Sequence, residues 1–181
     1  MCDTNDMFFN PDAQACGHAR RMTLKVEQKH SARIRGLLEG RRYAVLATRE
    51  PDGKPYTNLV AFQVSEDLDR ILFCTPRATR KYANLEAEPR VAMLVDDRTD
   101  RESDLQNAGA VTVIGECEEV RGEERMRLGE QFLSRHPSLA ELVRSPECAL
   151  MSVIVRECHL VTGFQETSAS RGGEIRGRGP S

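Results

Sequence analysis

The apolar positions of this chain fall into six short runs bounded by Gly, Pro, Asp and Asn, and helical spacing is confined to a few inserts between them. Ile34, Leu37 and Leu38 share one face of a helix predicted over about 31–39, which Gly40 ends. Residues 43–48 (YAVLAT) read as a buried strand. Pro51-Asp52-Gly53-Lys54 then predicts a hairpin, because Asp-Gly supplies the positive φ angles that such a loop requires, and the return strand covers 55–64. A turn at 66–69 precedes a third strand over 70–74, and 91–95, 110–117 and 149–164 complete the set. A helix over about 122–135, with Met126, Leu128, Phe132 and Leu133 in its apolar stripe, and a short helical piece near 139–143 precede the last strand.

Six strands joined mainly by tight turns predict a mainly β (α+β) protein, an antiparallel sheet that closes into a barrel and so removes its edges, with a few flanking helices. The pattern contains no internal repeat. It implies one domain over about 30–165, a polar N-terminal arm over 1–29, and a Gly/Ser/Arg-rich tail over 166–181 for which disorder is expected.

One local pattern breaks the usual rule for helices. After the apolar run 71–74 comes Thr75-Pro76, and a short helical pattern follows from about Thr79 to Glu88, closed by Pro89. Thr79 serves as an N-cap; Thr75 with Pro76 at the first helical position is the rival start. Either way Arg77, Arg80 and Lys81 crowd the first turn, where the helix already carries a partial positive charge and unpaired N–H groups. Three cations there leave two readings: side chains that splay into solvent, or a bound anion, with phosphate the obvious candidate. The flanking hydroxyls of Thr75 and Thr79 favour the anion.

Composition narrows the partners more than the fold. The 181 residues are 39% hydrophobic and 30% charged, with a net charge of −2, which gives no overall reason to expect nucleic acid or an anionic membrane as partner. No apolar run approaches a membrane span, and the N-terminal residues lack a basic-then-apolar signal pattern, so a cytoplasmic location is expected. The six cysteines (Cys2, Cys16, Cys74, Cys117, Cys148, Cys158) form no C-x-x-C pair. Reduced, strand-borne apolar residues are the reading for Cys74, Cys117 and Cys158, and no metal site is expected from Cys2 with Cys16-Gly17-His18.

The ordered series Val45-Leu46-Ala47-Thr48, Asp52-Gly53-Lys54-Pro55, Thr75 to Lys81, Asn84-Leu85-Glu86-Ala87-Glu88-Pro89-Arg90-Val91 and Thr162-Gly163-Phe164-Gln165 resembles the pyridoxamine-5′-phosphate-oxidase-like flavin-binding split barrels over roughly 31–166. The resemblance implies a six-stranded antiparallel split barrel, a homodimer with FMN at the subunit interface, and a small-molecule substrate. It places the FMN phosphate on Thr75, Thr79, Arg80 and Lys81, with Arg77 near by. The isoalloxazine ring would lie along Asn58, Leu59, Val60 and Ala61, with Ala47 and Thr48 beneath it, and the second subunit would add its fifth strand around Val111, Thr112 and Val113.

The chain departs from the biosynthetic oxidase where that enzyme holds its substrate. Asn58 and Gln63 stand at the positions of an arginine and a lysine, Ala110 at that of a glutamine, and the chain has no tryptophan for the Trp- and Arg-containing terminal motif. The expected role is therefore an FMN-binding oxidoreductase with a substrate other than pyridoxamine phosphate. A haem-binding or haem-degrading protein, with His159 or His30 as axial ligand, and a non-enzymatic flavin module are the alternatives, and a deazaflavin would use many of the same contacts. No nucleophile–base pair stands out: His30, His136 and His159 are far apart, His159 reads as a wall residue, and Asp96-Asp97 read as partners for Arg98 and Arg101 or as solvated residues of the loop.

Overall fold

The computed structural model describes residues 30–163 and the strand Glu166–Arg171. The N-terminal arm, with Cys2 and Cys16-Gly17-His18, lies outside the described residues, as do Phe164, Gln165 and residues 172–181. Helix α1 (30–40) leads into β1 (Tyr43–Arg49) and β2 (Pro55–Val64), then β3 (Arg70–Pro76), α2 (Arg80–Ala87) and β4 (Arg90–Asp96). A one-turn helix α3 (Asp104–Asn107) sits in the predicted polar loop, ahead of β5 (Gly109–Glu119). Helix α4 (Gly122–Arg135), a 3₁₀ turn and α5 (Ala140–Arg144) precede β6 (Cys148–Thr162), and β7 (Glu166–Arg171) follows.

All neighbouring strands are antiparallel, in the order β3-β2-β1-β4-β5-β6, and β3 also pairs with β6, which closes a six-stranded barrel. The β1–β2 hairpin turns at Asp52-Gly53, where Gly53 has φ +92° and its N–H donates to the Glu50 carbonyl at 2.8 Å. The first half of β6 pairs with β3, and its second half pairs on the same edge with β7, Glu157 opposite Arg171 through Thr162 opposite Glu166. Residues 166–171, expected in a disordered tail, thus form a seventh strand. Polar composition alone pointed to disorder, whereas the unpaired half of a long β6 edge offers a ready hydrogen-bonding template.

The change of partner along β6 coincides with a register shift at Ile114/Gly115, where Arg156 is the extra residue. Strand β5 and β6 come very close there: a Cβ on Gly115 would lie 2.4 Å from the Ile154 carbonyl oxygen. Alternation sorts the remaining side chains. Leu46, Val60, Phe62, Ile71, Phe73, Met93, Val111, Val113 and Val153 fill the barrel, joined by Ile34, Leu37 and Leu38 of α1 and by Tyr82 and Leu85 of α2. A second core forms outside the barrel, where Leu128, Phe132 and Leu133 of α4 and Val143 of α5 cover Leu72 and Leu150. Cys117 and Cys158 are buried free thiols whose pKa burial pushes up to about 12, as small apolar core residues require. Among the described residues no helix is long and apolar enough to cross a membrane.

Candidate functional site

The cationic helix begins at Thr79, the later of the two candidate starts. The Thr79 hydroxyl accepts from the Tyr82 N–H at 3.4 Å and donates to the Pro76 carbonyl at 2.8 Å, while the fully buried Thr75 hydroxyl lies 2.9 Å from it. No acidic residue occupies the first turn. Two threonines thus shape the turn, and the helix that follows presents Arg80 and Lys81 beside its unpaired N–H groups.

The three cations have different surroundings. Arg77 precedes the helix and is engaged: it pairs with Glu119 at the end of β5, donates to the Pro146 carbonyl at 2.6 Å and lies 5.9 Å from the Tyr82 ring centroid. Glu119 also accepts from the Tyr82 hydroxyl at 2.9 Å, so Arg77 ties the loop after β3 to β5. Arg80 is exposed; its guanidinium reaches Glu50 at 3.1 Å and lies over Tyr56 of β2. Lys81 is half-buried, and among the described residues its ammonium has no hydrogen-bond or ion-pair partner. Burial therefore holds it below the ordinary lysine pKa, and the nearby Tyr56 only partly opposes that shift.

This turn borders an opening in the barrel wall. Strand β2 pairs with β1 from Pro55 to Ala61, but with β3 only over Phe62–Val64. The Phe62 N–H donates to the Arg42 carbonyl on the β1 side. Antiparallel alternation then turns the backbone N–H and C=O groups of Thr57, Leu59 and Ala61 towards the opposite edge, which has no strand partner among the described residues. The opening thus has an unpaired backbone edge on one side and the cationic turn on the other. Beside it, the buried Asn58 Oδ1 has no hydrogen-bond partner among the described residues.

Alternation separates the other expected site residues. Leu59, 69% exposed, and Ala47 point outward, whereas Ala61 also points outward but packs under α4 and α5. Asn58 and Val60 point inward, and Val60 is part of the barrel core. Thr48 is buried too, with its hydroxyl already bonded to Asn84 and Tyr56. Val111 is fully buried in the barrel, so of the fifth-strand pair only Thr112 faces out. Register places His159, Thr112, Leu94, Val45 and Leu59 in one row across the outside of five strands. A groove of about 450 Å³ runs over part of this face, lined by Tyr43, Val45, Leu59 and Leu94 with Arg41 and Arg98 at its rim.

Sequence reasoning missed Glu50, Glu119 and Asn84 as parts of this region. Asn84 carried a readable signal, because asparagine in the middle of a short helix is a poor helix former and needs another reason to be there. Asp96 does pair with Arg98, at 2.8 Å, but Asp97 pairs with Arg33 rather than Arg101 and accepts from the Gly109 N–H at 2.7 Å.

The sequence profile described as pyridoxamine 5′-phosphate oxidase matches residues 31–162. No curated protein matches the chain. Among solved structures, a heme binding protein from Mycobacterium smegmatis is similar at 16% identity and TM-score 0.73, over 81% of this chain and 59% of that one. General stress protein 26 from Bacillus anthracis is similar at 20% identity and TM-score 0.61, over 78% and 98%. An FAD-binding protein from Mesorhizobium loti is similar at 19% identity and TM-score 0.57, over 78% and 94%. The chain therefore spans about three-fifths of the mycobacterial protein and nearly all of the other two. With the closed six-stranded antiparallel barrel and the cationic turn in its wall, the profile match over most of the chain makes this protein a member of the pyridoxamine 5′-phosphate oxidase family.

Proposed function

We propose that the protein binds FMN and works as an oxidoreductase, with the phosphate held by Arg80 and Lys81 at a turn that the buried Thr75 and the capping Thr79 shape rather than line. The observation that carries this reading is the pairing, in one opening, of a half-buried ammonium with a β2 edge, neither of which has a partner among the described residues. A flavin phosphate would neutralise Lys81 and meet the free N–H groups of the helix start. The polar edge of the ring system would find backbone donors and acceptors at Thr57, Leu59 and Ala61, with Asn58 Oδ1 as a further acceptor. The groups present therefore fit a flavin nucleotide. A bound flavin would supply hydride or electron transfer at its own ring, so the protein's residues would need only to bind and orient it.

The exposed Leu59 and Tyr43, beside the half-buried Val45 and Leu94 on the outer barrel face, support a homodimer in which Thr112 of a second copy would complete the site. An FAD-binding protein among the structural neighbours lends support to a flavin. A heme binding neighbour raises the alternative, but the turn presents Lys81, and His159 sits on the outer face against Glu157 at 3.3 Å.

The visible spectrum of the purified protein, with and without added FMN, tests the reading. Flavin bands that co-purify or saturate on titration are expected. A protein that stays colourless overturns it, and a Soret band replaces it with haem. Steady NAD(P)H oxidation by the loaded protein separates an enzyme from a flavin-storing module.

A further inference from the structure

Thr48 and Asn84 form the contact that joins the cationic helix to the strand wall across from it. Asn84 is 2% exposed and Thr48 is 4% exposed. The Asn84 Nδ2 donates to the Thr48 Oγ1 at 3.0 Å, and that hydroxyl donates in turn to the Tyr56 carbonyl at 3.3 Å. One hydroxyl thus links α2, β1 and β2. Tyr56 is the residue whose ring underlies the Arg80 guanidinium, 5.1 Å from its centroid, and whose charge neighbourhood includes Lys81.

We infer that Thr48 and Asn84 are positioning residues, which set the place of Arg80 and Lys81 relative to the open β2 edge and so confer selectivity for a phosphorylated ligand. Thr48 is buried, and its single hydroxyl proton goes to the Tyr56 carbonyl, which leaves no donor for a phosphate. Its effect is transmitted through helix orientation. Asn84 lies one helical turn after Arg80, on the α2 side that packs inward, so a change in its anchorage rotates the first turn about the helix axis. Lys81 would move out of its half-buried place beside Tyr56, and Arg80 would leave the Tyr56 face.

The inference depends on the FMN reading only for one of its two tests. Thr48→Val keeps the shape and removes the hydroxyl, whereas Thr48→Ser keeps the hydroxyl and is the rescue control. Without any ligand, the rate at which acetic anhydride labels Lys81, read by mass spectrometry, rises several-fold in Thr48→Val and stays near wild type in Thr48→Ser. In titrations followed by flavin fluorescence, Thr48→Val weakens FMN by about tenfold, the scale of one neutral hydrogen bond. Riboflavin, which lacks the phosphate, changes far less. Equal losses for FMN and riboflavin, or unchanged Lys81 labelling in a folded Thr48→Val protein, overturn the inference. A wild type that binds neither flavin removes the FMN reading, and the labelling comparison then decides the positioning role alone.

Discussion

Arg80 and Tyr56 face each other across the opening in the barrel, the guanidinium 5.1 Å from the ring centroid, and Glu50 holds the same guanidinium at 3.1 Å. Lys81, next along the helix, is half-buried and has no such counter-charge among the described residues. A phosphate must therefore displace Glu50 to recruit Arg80, whereas it relieves an existing desolvation cost at Lys81.

Lys81→Ala is expected to weaken FMN binding more than Arg80→Ala, and the double substitution by about 100-fold or more, given roughly 1.5–3 kcal/mol for a hydrogen bond to a charged group. Titration with FMN and with riboflavin checks this. The riboflavin affinity should stay near wild type and the melting temperature should not fall, because neither side chain contributes to either hydrophobic core and Lys81→Ala removes a desolvated ammonium.

Arg77 should behave in the opposite way. It pairs with Glu119, whose carboxylate also accepts from Tyr82 and Arg121. Burial raises the Glu119 pKa, but these hydrogen bonds outweigh it and hold the group below the ordinary carboxylate value. A depressed carboxylate contributes stability above its unfolded pKa of about 4.5 and loses it as the pH falls through the folded value. Arg77→Ala should thus lower the melting temperature at pH 7, shift FMN affinity less than Lys81→Ala, and flatten the loss of stability on acidification. Thermal melts of wild type and variant between pH 7 and pH 3 decide the matter.

The difference between Arg77 and Lys81 marks the limit of what the residue order could convey. The strands were legible because their apolar runs are short and end at Asp-Gly, Pro or Gly, and the cationic turn was legible because it violates the charge preference of a helix start. Which cation is free was not, because Glu119 lies 42 residues from Arg77 and only the barrel brings them together. Side-chain facing was partly legible: period-2 alternation puts Val111 and Val60 inside once the core face of each strand is fixed, yet the resemblance named whole segments. The seventh strand was hidden because the polar residues 166–171 pair through backbone groups.

His136 ends α4 with its Nε2 2.8 Å from the Phe62 carbonyl, which can only accept, so Nε2 carries the proton and the neutral ring satisfies the contact. Burial lowers its pKa below 6.5, and Arg135 and Arg42 add to this, while the Phe62 bond opposes it. A histidine held neutral in the fold contributes stability that is complete above its unfolded pKa and declines as the pH falls from about 6.5 towards the folded value. His136→Gln is expected to lower stability at pH 7.5, with a deficit that shrinks by pH 5. Urea midpoints across that range provide the check, and a constant deficit would show that protonation of His136 is not linked to folding.

Gly115 is the one position where β5 and β6 leave no room for a side chain. A Cβ there would meet the Ile154 carbonyl oxygen at 2.4 Å and Val153 Cγ1 at 2.7 Å, and a backbone carbonyl cannot step aside as a flexible side chain can. Gly115→Ala should destabilise by about 1–3 kcal/mol, the range for overpacking a core. If equilibrium unfolding shows no loss, the two strands can separate without cost at the Arg156 bulge.

The outer barrel face around Leu59 and Tyr43 offers a test of assembly. Leu59 is 69% exposed and Tyr43 is 60% exposed, on the face where Val45, Leu94 and Thr112 continue the row across neighbouring strands. Side chains of this kind exposed together mark an interaction surface. Leu59→Asp puts a charge in place of the most exposed apolar side chain of this face, so it should convert a dimer made through the face to a monomer in size-exclusion chromatography with light scattering. Its side chain points away from the barrel interior, so the monomer should keep the wild-type far-UV circular dichroism. A dimer that survives Leu59→Asp would assign assembly to another surface, and with it the source of any residues that complete the proposed flavin site.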